Sequence, residues 1–372
     1  MKDTASKNLS PEEQAILKAR EVEQSIERQA ATISEAEIAD GETPLDKNVR
    51  LMSPARMVAR RFFRSKLSIV GLVLIVVLFV FSWFGPLFCK AAGYWGETDV
   101  DRSGKYVYDT VEITTEDGNT FYQIAESFEE VNSLSEPDGN HLLGTDKTGK
   151  DVFVRLMYGG RISLTISIIT VFAIAIIGII FGGIAGYFGG WVDNLIMRIC
   201  DIFMCLPTMP LLLILSTLVD AWGVPEQYRI YILMLFLTVF SWSGTARLVR
   251  GQILFLREQE YMVAAEAMGF SSARKIFKHL VPNILPQLIV SMTLSLGSMI
   301  LYEASLSYLG LGVPAQFASW GGMINVVNQD LNVLQNFFNV WAPPGLMIIL
   351  AVLGFNFLGD GLRDALDPKM RR

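Results

Sequence analysis

One stretch of the chain has the residue spacing of a phosphate-binding loop. Gly144, Gly149 and Lys150 match the frame G-x-x-x-x-G-K, in which backbone amides and a lysine bind nucleotide phosphates. The next residue is Asp151, although this position needs a serine or threonine hydroxyl to bind Mg²⁺. A carboxylate there would repel the phosphates, and no parallel strand and helix pattern surrounds the stretch. We therefore predict that it does not bind ATP.

The other reactive residue types form no catalytic or metal-binding pattern. Three cysteines, Cys89, Cys200 and Cys205, lie at or within apolar segments, and the chain has only two histidines. Their spacings are not those of a zinc site, and they do not indicate a disulfide framework. We predict buried thiols, no metal site and no catalytic residue in this chain.

Two carboxylates lie inside apolar runs, where an ionisable residue is costly and usually faces protein or water. Glu303 is the deeper one, within the sequence SMILYEASLSYLGLG. It could line a path through the membrane, or it could bond serine or backbone groups of a neighbouring helix. Asp201 lies near the inner end of its run and close to Arg198, which predicts a local ion pair.

The apolar runs themselves indicate a polytopic membrane protein. Of the 372 residues, 51% are apolar and 18% are charged, and the net charge of -6 argues against a general nucleic-acid surface. About 20 apolar residues suffice to cross a bilayer, and the distribution of lysine and arginine between the runs predicts that both termini are cytoplasmic. The predicted spans are 67–88, 162–186, 195–219, 230–246, 283–308 and 343–359, with a kink at Pro207 and Pro210 in the third.

Composition divides the chain into four segments. In the middle part of the polar region after the first span, alternating apolar residues on both sides of Asp117 and Gly118 predict a small β unit. The predicted segments are a cytoplasmic N-terminal leader at 1–50, the first transmembrane helix with its basic flank at 51–88, an extracytoplasmic insertion and amphipathic segment at 89–161, and a core of five transmembrane helices at 162–372.

A basic loop at 247–282 interrupts this core and is predicted to be cytoplasmic. Residues 258–268 predict a helix that Gly269 ends, and Ser271 predicts the N-cap of a second helix. The second helix would carry an apolar ridge of Ala273, Ile276, Phe277 and Leu280, with Arg274, Lys275 and Lys278 on the opposite face. From amphipathicity alone, this loop either docks on a protein or lies on anionic lipid.

The residues of this loop resemble a known motif. Val263-Ala264-Ala265, Gly269 and the run from His279 to Pro282 fall on the frame of the coupling motif of binding-protein-dependent ABC importer permeases. The family has a glutamate where Val263 stands and a leucine where Val281 stands. The resemblance implies that the loop docks on a cytoplasmic ATPase through Val263, Ala264, Ala265, Gly269, Ala273, Ile276, Phe277, His279 and Pro282.

Further motifs resemble the C-type membrane permease subunit of the oligopeptide and dipeptide (peptide/nickel) ABC importers. They are, in order, HLLGTD, YGGRISL, GYFGGWVD, TARLVRGQ, YEASLSYLGLG, SWGGMI and FNFLGDGLRDALDP. The resemblance implies the all-α fold of type I importer permeases with six transmembrane helices, here with a small extracytoplasmic α/β insertion. It implies half of a translocation path for oligopeptides or dipeptides. The alternatives are a member of the same family that carries nickel or another small solute, a secondary transporter or a channel.

The resemblance also implies the partners of the chain. These are a B-type permease subunit as heterodimer partner, two cytoplasmic ABC ATPase subunits, an extracytoplasmic solute-binding protein and the lipid bilayer, with no nucleic acid. The chain itself would be non-catalytic and without cofactor, since ATP and Mg²⁺ bind to the ATPases. We expect a multi-pass protein of a prokaryotic cell membrane. The acidic insertion either contacts the solute-binding protein or only increases solubility.

Overall fold

A computed structural model describes residues 54–103, 106–114, 120–129, 131–314 and 316–366. The predicted leader at 1–50 lies outside these residues. The elements are α1 (Pro54–Phe62), α2 (Lys66–Ala91), β1 (Tyr106–Thr114), β2 (Thr120–Glu129), α3 (Val152–Phe188), α4 (Gly190–Cys205), α5 (Thr208–Ala221), α6 (Glu226–Arg257), α7 (Glu260–Ala267), α8 (Ser272–Arg274), a π-helical turn (Lys275–Leu280), α9 (Val281–Tyr308), α10 (Trp320–Gln329), α11 (Leu331–Asn336) and α12 (Phe338–Leu366).

Five helices of the described residues are long and apolar enough to cross a membrane. They are α2, α3, α6 from Tyr231, the continuous helix Ser272–Tyr308 and α12. The pair α4 and α5 adds a sixth crossing if it is counted as one bent span. The predicted all-α polytopic fold is confirmed.

The predicted kink in the third span is a break. Helices α4 and α5 meet at an angle of 81°. Leu206, between them, has an extended backbone with φ -78° and ψ 130°. The ring of Pro207 disfavours a helical conformation in the residue before it, and this proline has no N–H to continue the helix.

Several of the predicted spans begin later than the helices that contain them. Helix α3 begins ten residues before the predicted position, because Asp151 caps it: the Asp151 Oδ1 accepts a hydrogen bond of 2.9 Å from the Val154 amide. The amphipathic segment that precedes the apolar run is therefore the start of the same helix. Helix α12 likewise begins at Phe338, with Pro343 and Pro344 inside it. Apolar runs mark where a helix meets lipid, and they do not mark where it ends.

The segment after α2 contains an antiparallel pair of strands. Strands β1 and β2 pair from Tyr106 opposite Glu129 to Thr114 opposite Thr120, with a register shift between Asp109 and Thr110. The predicted turn at residues 117 and 118 lies outside the described residues.

The core of the bundle depends on close contact between α3 and α6. A Cβ atom at Gly182 would lie 2.3 Å from the Ala246 carbonyl oxygen, and one at Gly186 would lie 2.9 Å from the Arg250 carbonyl oxygen. Small residues therefore let the two backbones approach each other. Helix α12 packs against both α2 and α9. This arrangement places the loop between α6 and α9 at one end of the bundle.

Candidate functional site

The first half of the loop between α6 and α9 has the predicted helix and turn. Helix α7 ends before Gly269, whose φ of +73° is in the left-handed region. The amides of Gly269 and Phe270 donate to the carbonyls of Glu266 and Ala265 at 2.9 and 3.2 Å, which closes the helix end. The hydroxyl of Ser271 then accepts from the Arg274 amide at 3.4 Å. We name residues 258–282 the coupling loop.

The second predicted helix of the coupling loop does not stop at Pro282. Helix α8 passes through the π-helical turn directly into α9, so that one helix runs from Ser272 to Tyr308. Pro282 has no N–H to donate to the carbonyl four residues earlier. The turn before it is wider, and the Val281 amide donates to the Ile276 carbonyl five residues back. The part of the coupling loop from Ser272 onward is thus a helical extension of a membrane span.

The predicted docking residues divide into an outer and an inner set. Ala265 is buried, and so are the neighbouring Met262 and Leu280, which pack against α6 and α9. Phe277, on the predicted apolar ridge, keeps 66% of its side-chain surface exposed. The exposed predicted residues are Val263, Ala264, Gly269, Ala273, Phe277 and Pro282, while Ile276 and His279 are half-buried. We name Val263, Met268, Ala273 and Phe277 the outer apolar face.

Lys275 was predicted on the exposed basic face, and this prediction is wrong. Its side chain is 8% exposed, with Nζ 5.6 Å from the centre of the Tyr187 ring and 3.8 Å from Glu266 Oε2. The Tyr187 hydroxyl also donates to Ser272 Oγ at 3.2 Å. Lys275 is the first residue of the π-helical turn, and Tyr187 lies in the last turn of α3. Lys275 therefore holds the coupling loop against the end of α3.

Ion pairs connect the C-terminal half of α6 to α4. The guanidinium of Arg250 donates to both carboxylate oxygens of Asp193 on α4, at 2.9 and 2.5 Å. Such a two-point pair fixes orientation as well as distance. Asp201 pairs with Arg247 of α6 at 2.5 Å, so the predicted pair with Arg198 is wrong. Sequence proximity suggested the nearer arginine, whereas helix packing selected the distant one.

Glu303 lies at the junction of α3, α9 and α10. Its side chain is fully buried, and Ser307 Oγ donates to Oε1 at 2.7 Å. The hydroxyls of Ser163 and Ser319 lie around the same carboxyl group. These contacts favour the structural role over the path-lining role, which remains a prediction.

The stretch with phosphate-loop spacing forms a loop that ends in the N-cap of α3 and belongs to a buried polar network. His141 lies with Nδ1 2.8 Å from Asp151 Oδ2 and Nε2 3.2 Å from Asp101 Oδ2, and the Trp95 ring stacks on it at 4.6 Å. The Tyr94 hydroxyl donates to Asp151 Oδ2 at 2.8 Å. Burial, together with this carboxylate, raises the pKa of Tyr94 to about 12. The Asp151 carboxylate is thus occupied by hydrogen bonds to other groups of the protein.

Asp101 completes this network. Burial alone would raise its pKa, but hydrogen bonds from Asn132, Ser103 and His141 outweigh it and lower the pKa to about 2. The sequence reasoning missed the network, because its members are up to 57 residues apart. One sign was available: Asp151 directly precedes an amphipathic segment, and aspartate is a common N-cap.

Comparison with known proteins agrees with this architecture. The family model of the binding-protein-dependent transport system inner membrane component matches residues 178–372. The model of the N-terminal TM domain of oligopeptide transport permease C matches residues 53–103. Together these two matches cover both the first span and the coupling loop.

Individual relatives match over most of the chain. The oligopeptide transport system permease protein OppC of Bacillus subtilis is 35% identical over 338 residues, which are 91% of this chain and 96% of that protein. The dipeptide transport system permease protein DppC of Alkalihalophilus pseudofirmus is 34% identical, covering 88% and 94%. The glutathione transport system permease protein GsiD of Pectobacterium atrosepticum is 37% identical, covering 66% and 79%. The chain therefore belongs to the family of binding-protein-dependent transport system inner membrane components, among its C-type ABC permeases.

Proposed function

We propose that this chain forms half of the translocation path of an ATP-driven importer of oligopeptides or dipeptides. The relatives named above are permeases for an oligopeptide, a dipeptide and glutathione, and all three solutes are short peptides. The likeness to the oligopeptide relative extends over nearly the whole of both chains.

The observation that carries the proposal is the outer apolar face of the coupling loop. Val263, Met268 and Phe277 keep 61%, 64% and 66% of their surface exposed, although the inner face of the same loop is packed. Exposed apolar side chains grouped in one short segment are typical of a contact with a protein or a membrane, and the coupling motif on this segment favours a protein. Since Val263 stands where the family motif has a carboxylate, this contact is made by apolar packing at that position.

The occupant of this face is a cytoplasmic ATPase subunit. Two such subunits hydrolyse ATP with Mg²⁺, and this chain is non-catalytic and binds no cofactor. A B-type permease subunit forms the other half of the path, and an extracytoplasmic solute-binding protein delivers the peptide. Both termini of this chain are cytoplasmic. The charge of the segment 247–282 supports this orientation, because it has six basic residues and three acidic ones.

Co-purification followed by reconstitution tests this function. A tag on this chain should recover a second permease subunit and two ATPases from detergent extracts, whereas a secondary transporter or channel would be isolated alone. In liposomes that hold the complete complex, trialanine plus the solute-binding protein should stimulate ATP hydrolysis and enter the lumen. Stimulation by Ni²⁺ instead of trialanine would assign the chain to the nickel carriers of the family.

A further inference from the structure

A cavity of about 390 Å³ lies at the end of the bundle opposite the coupling loop. Helix α9 starts at the coupling loop, and the residues just beyond its other end, including Gly310 and Val313, line the cavity. With 28 residues at 1.5 Å each, α9 separates the two regions by about 42 Å. The cavity is therefore far from the proposed ATPase contact and lies where a solute would enter.

The side chains that line this cavity include more cations than carboxylates, and each cation pairs with a carboxylate in or beside the lining. Lys147, Arg155 and Arg229 line it together with a single lining carboxylate, Asp146. Lys147 Nζ lies 3.0 Å from Asp330, and Arg155 Nη1 lies 3.1 Å from Asp146. These two pairs form the wall of the cavity. The hydrogen bond from Lys147 also lowers the pKa of Asp330.

Arg229 differs from the other two cations. Its Nη2 pairs with Asp220, which is about half exposed. Its Nε is buried and has no hydrogen-bond partner among the described residues. A buried N–H without an acceptor is destabilising, whereas a half-exposed ion pair contributes little to stability. The guanidinium lines the cavity and keeps an unused N–H donor, which an acceptor in the cavity reaches only if the side chain moves.

The rest of the lining suits a short peptide. Asn325 and Gln329 of α10 offer amide groups that can bond a peptide backbone, and Val152, Val313 and Met323 form an apolar wall. The volume lies at the lower end of the range of about 300–1,000 Å³ for small-molecule sites. A guanidinium binds a carboxylate through two parallel hydrogen bonds, and short peptides carry a carboxylate at their C-terminus.

We propose that this cavity binds the terminal carboxylate of a short peptide, with Arg229 as the anion-binding residue and Asn325 beside it. The proposal rests on the import function proposed above and adds to it a binding subsite within this chain. Peptide leaving the solute-binding protein is held here by its C-terminus before it enters the translocation path.

Equilibrium binding of tritium-labelled trialanine and trialanine amide tests the subsite. Both probes are measured on the complete membrane complex in nanodiscs, without the solute-binding protein. We expect trialanine to bind at least tenfold more tightly than the amide, a difference of about 1.4 kcal/mol.

Arg229→Gln should abolish this preference by weakening only trialanine. Asn325→Asp, which keeps the side-chain shape but adds a negative charge, should also weaken only trialanine. Arg198→Gln, an exposed control on α4, should keep the preference.

Several results would overturn the subsite. They are the absence of saturable trialanine binding, equal binding of both probes to the wild type, or a preference that survives in Arg229→Gln. An Arg229→Gln defect that appears only with the solute-binding protein, and equally for both probes, would assign the cavity to that protein. Trialanine uptake by cells, measured in parallel, separates the two proposals. Uptake without binding rejects the subsite alone, whereas absence of uptake rejects peptide import and the subsite with it.

Discussion

Replacement of Phe277 by alanine should uncouple transport while the chain stays folded. Phe277 is 66% exposed on the outer apolar face, so its removal changes little inside this chain, about 0.5 kcal/mol or less. If the ATPase buries this ring, its truncation costs about 3 kcal/mol or more at the contact. A loss of that size weakens the docking equilibrium by about a hundredfold. Phe277→Ala should therefore lose ATPase recruitment and peptide uptake at an unchanged membrane level.

A tag on this chain allows recruitment to be measured by co-purification, and labelled trialanine allows uptake to be measured in the same cells. Phe63→Ala is the matched control, since Phe63 is 60% exposed but lies on the segment before α2, far along the chain from the coupling loop. This control should retain both activities. If Phe277→Ala recruits the ATPases and imports trialanine as the wild type does, the outer apolar face is a lipid-facing surface and the docking argument fails.

Three further predictions concern individual residues. Gly269→Val should reduce uptake because a β-branched residue is strained by about 1–2 kcal/mol at φ +73°, whereas Gly269→Asn should retain it. No heavy atom of the described residues lies within 4 Å of a Cβ there, so equal loss in both variants would contradict a backbone cause. Lys275→Ala should lower uptake several-fold, because it removes the contact of Lys275 with the Tyr187 ring. Lys278 is exposed, so Lys278→Ala should have no effect. Unchanged uptake in Lys275→Ala would contradict a positioning role. The depressed pKa of Asp101, about 2 against about 3.9 in an unfolded chain, contributes stability above pH 4 that is lost as the pH falls toward 2. The thermal unfolding midpoint of the purified protein should fall in that window, and the fall should be smaller in Asp101→Asn.

Local sequence determined which residues of the coupling loop end and begin a helix. Gly269 and Ser271 act through their own backbone and side-chain chemistry, so their roles as helix stop and N-cap were predictable without any knowledge of packing. The same holds for the membrane class of the chain and for the break before Pro207. In each case the cause lies within a few residues of its effect.

Sequence reasoning failed where a helix continues beyond its apolar run. The start of α3 at Val152 depends on the cap by Asp151, and α9 continues from Ser272 because the π-helical turn accommodates Pro282. Hydropathy reports contact with lipid, and it does not register a helix that extends into water or protein. The predicted span limits were therefore displaced toward the bilayer.

The sequence by itself determined the family, the number of apolar crossings to within one, and the position of the coupling loop along the chain. Tertiary structure alone decided which side of each helix is buried. It turned Lys275 toward Tyr187, paired Asp201 with Arg247, enclosed Glu303 among serines and buried Nε of Arg229 without a partner among the described residues. The physical reason is that the period of 3.6 residues shows which residues share a face only while the helix is regular. Which helix packs against that face depends on residues far away in the sequence. A single π-helical turn rotates every residue after it, and no local pattern records which neighbour then lies opposite.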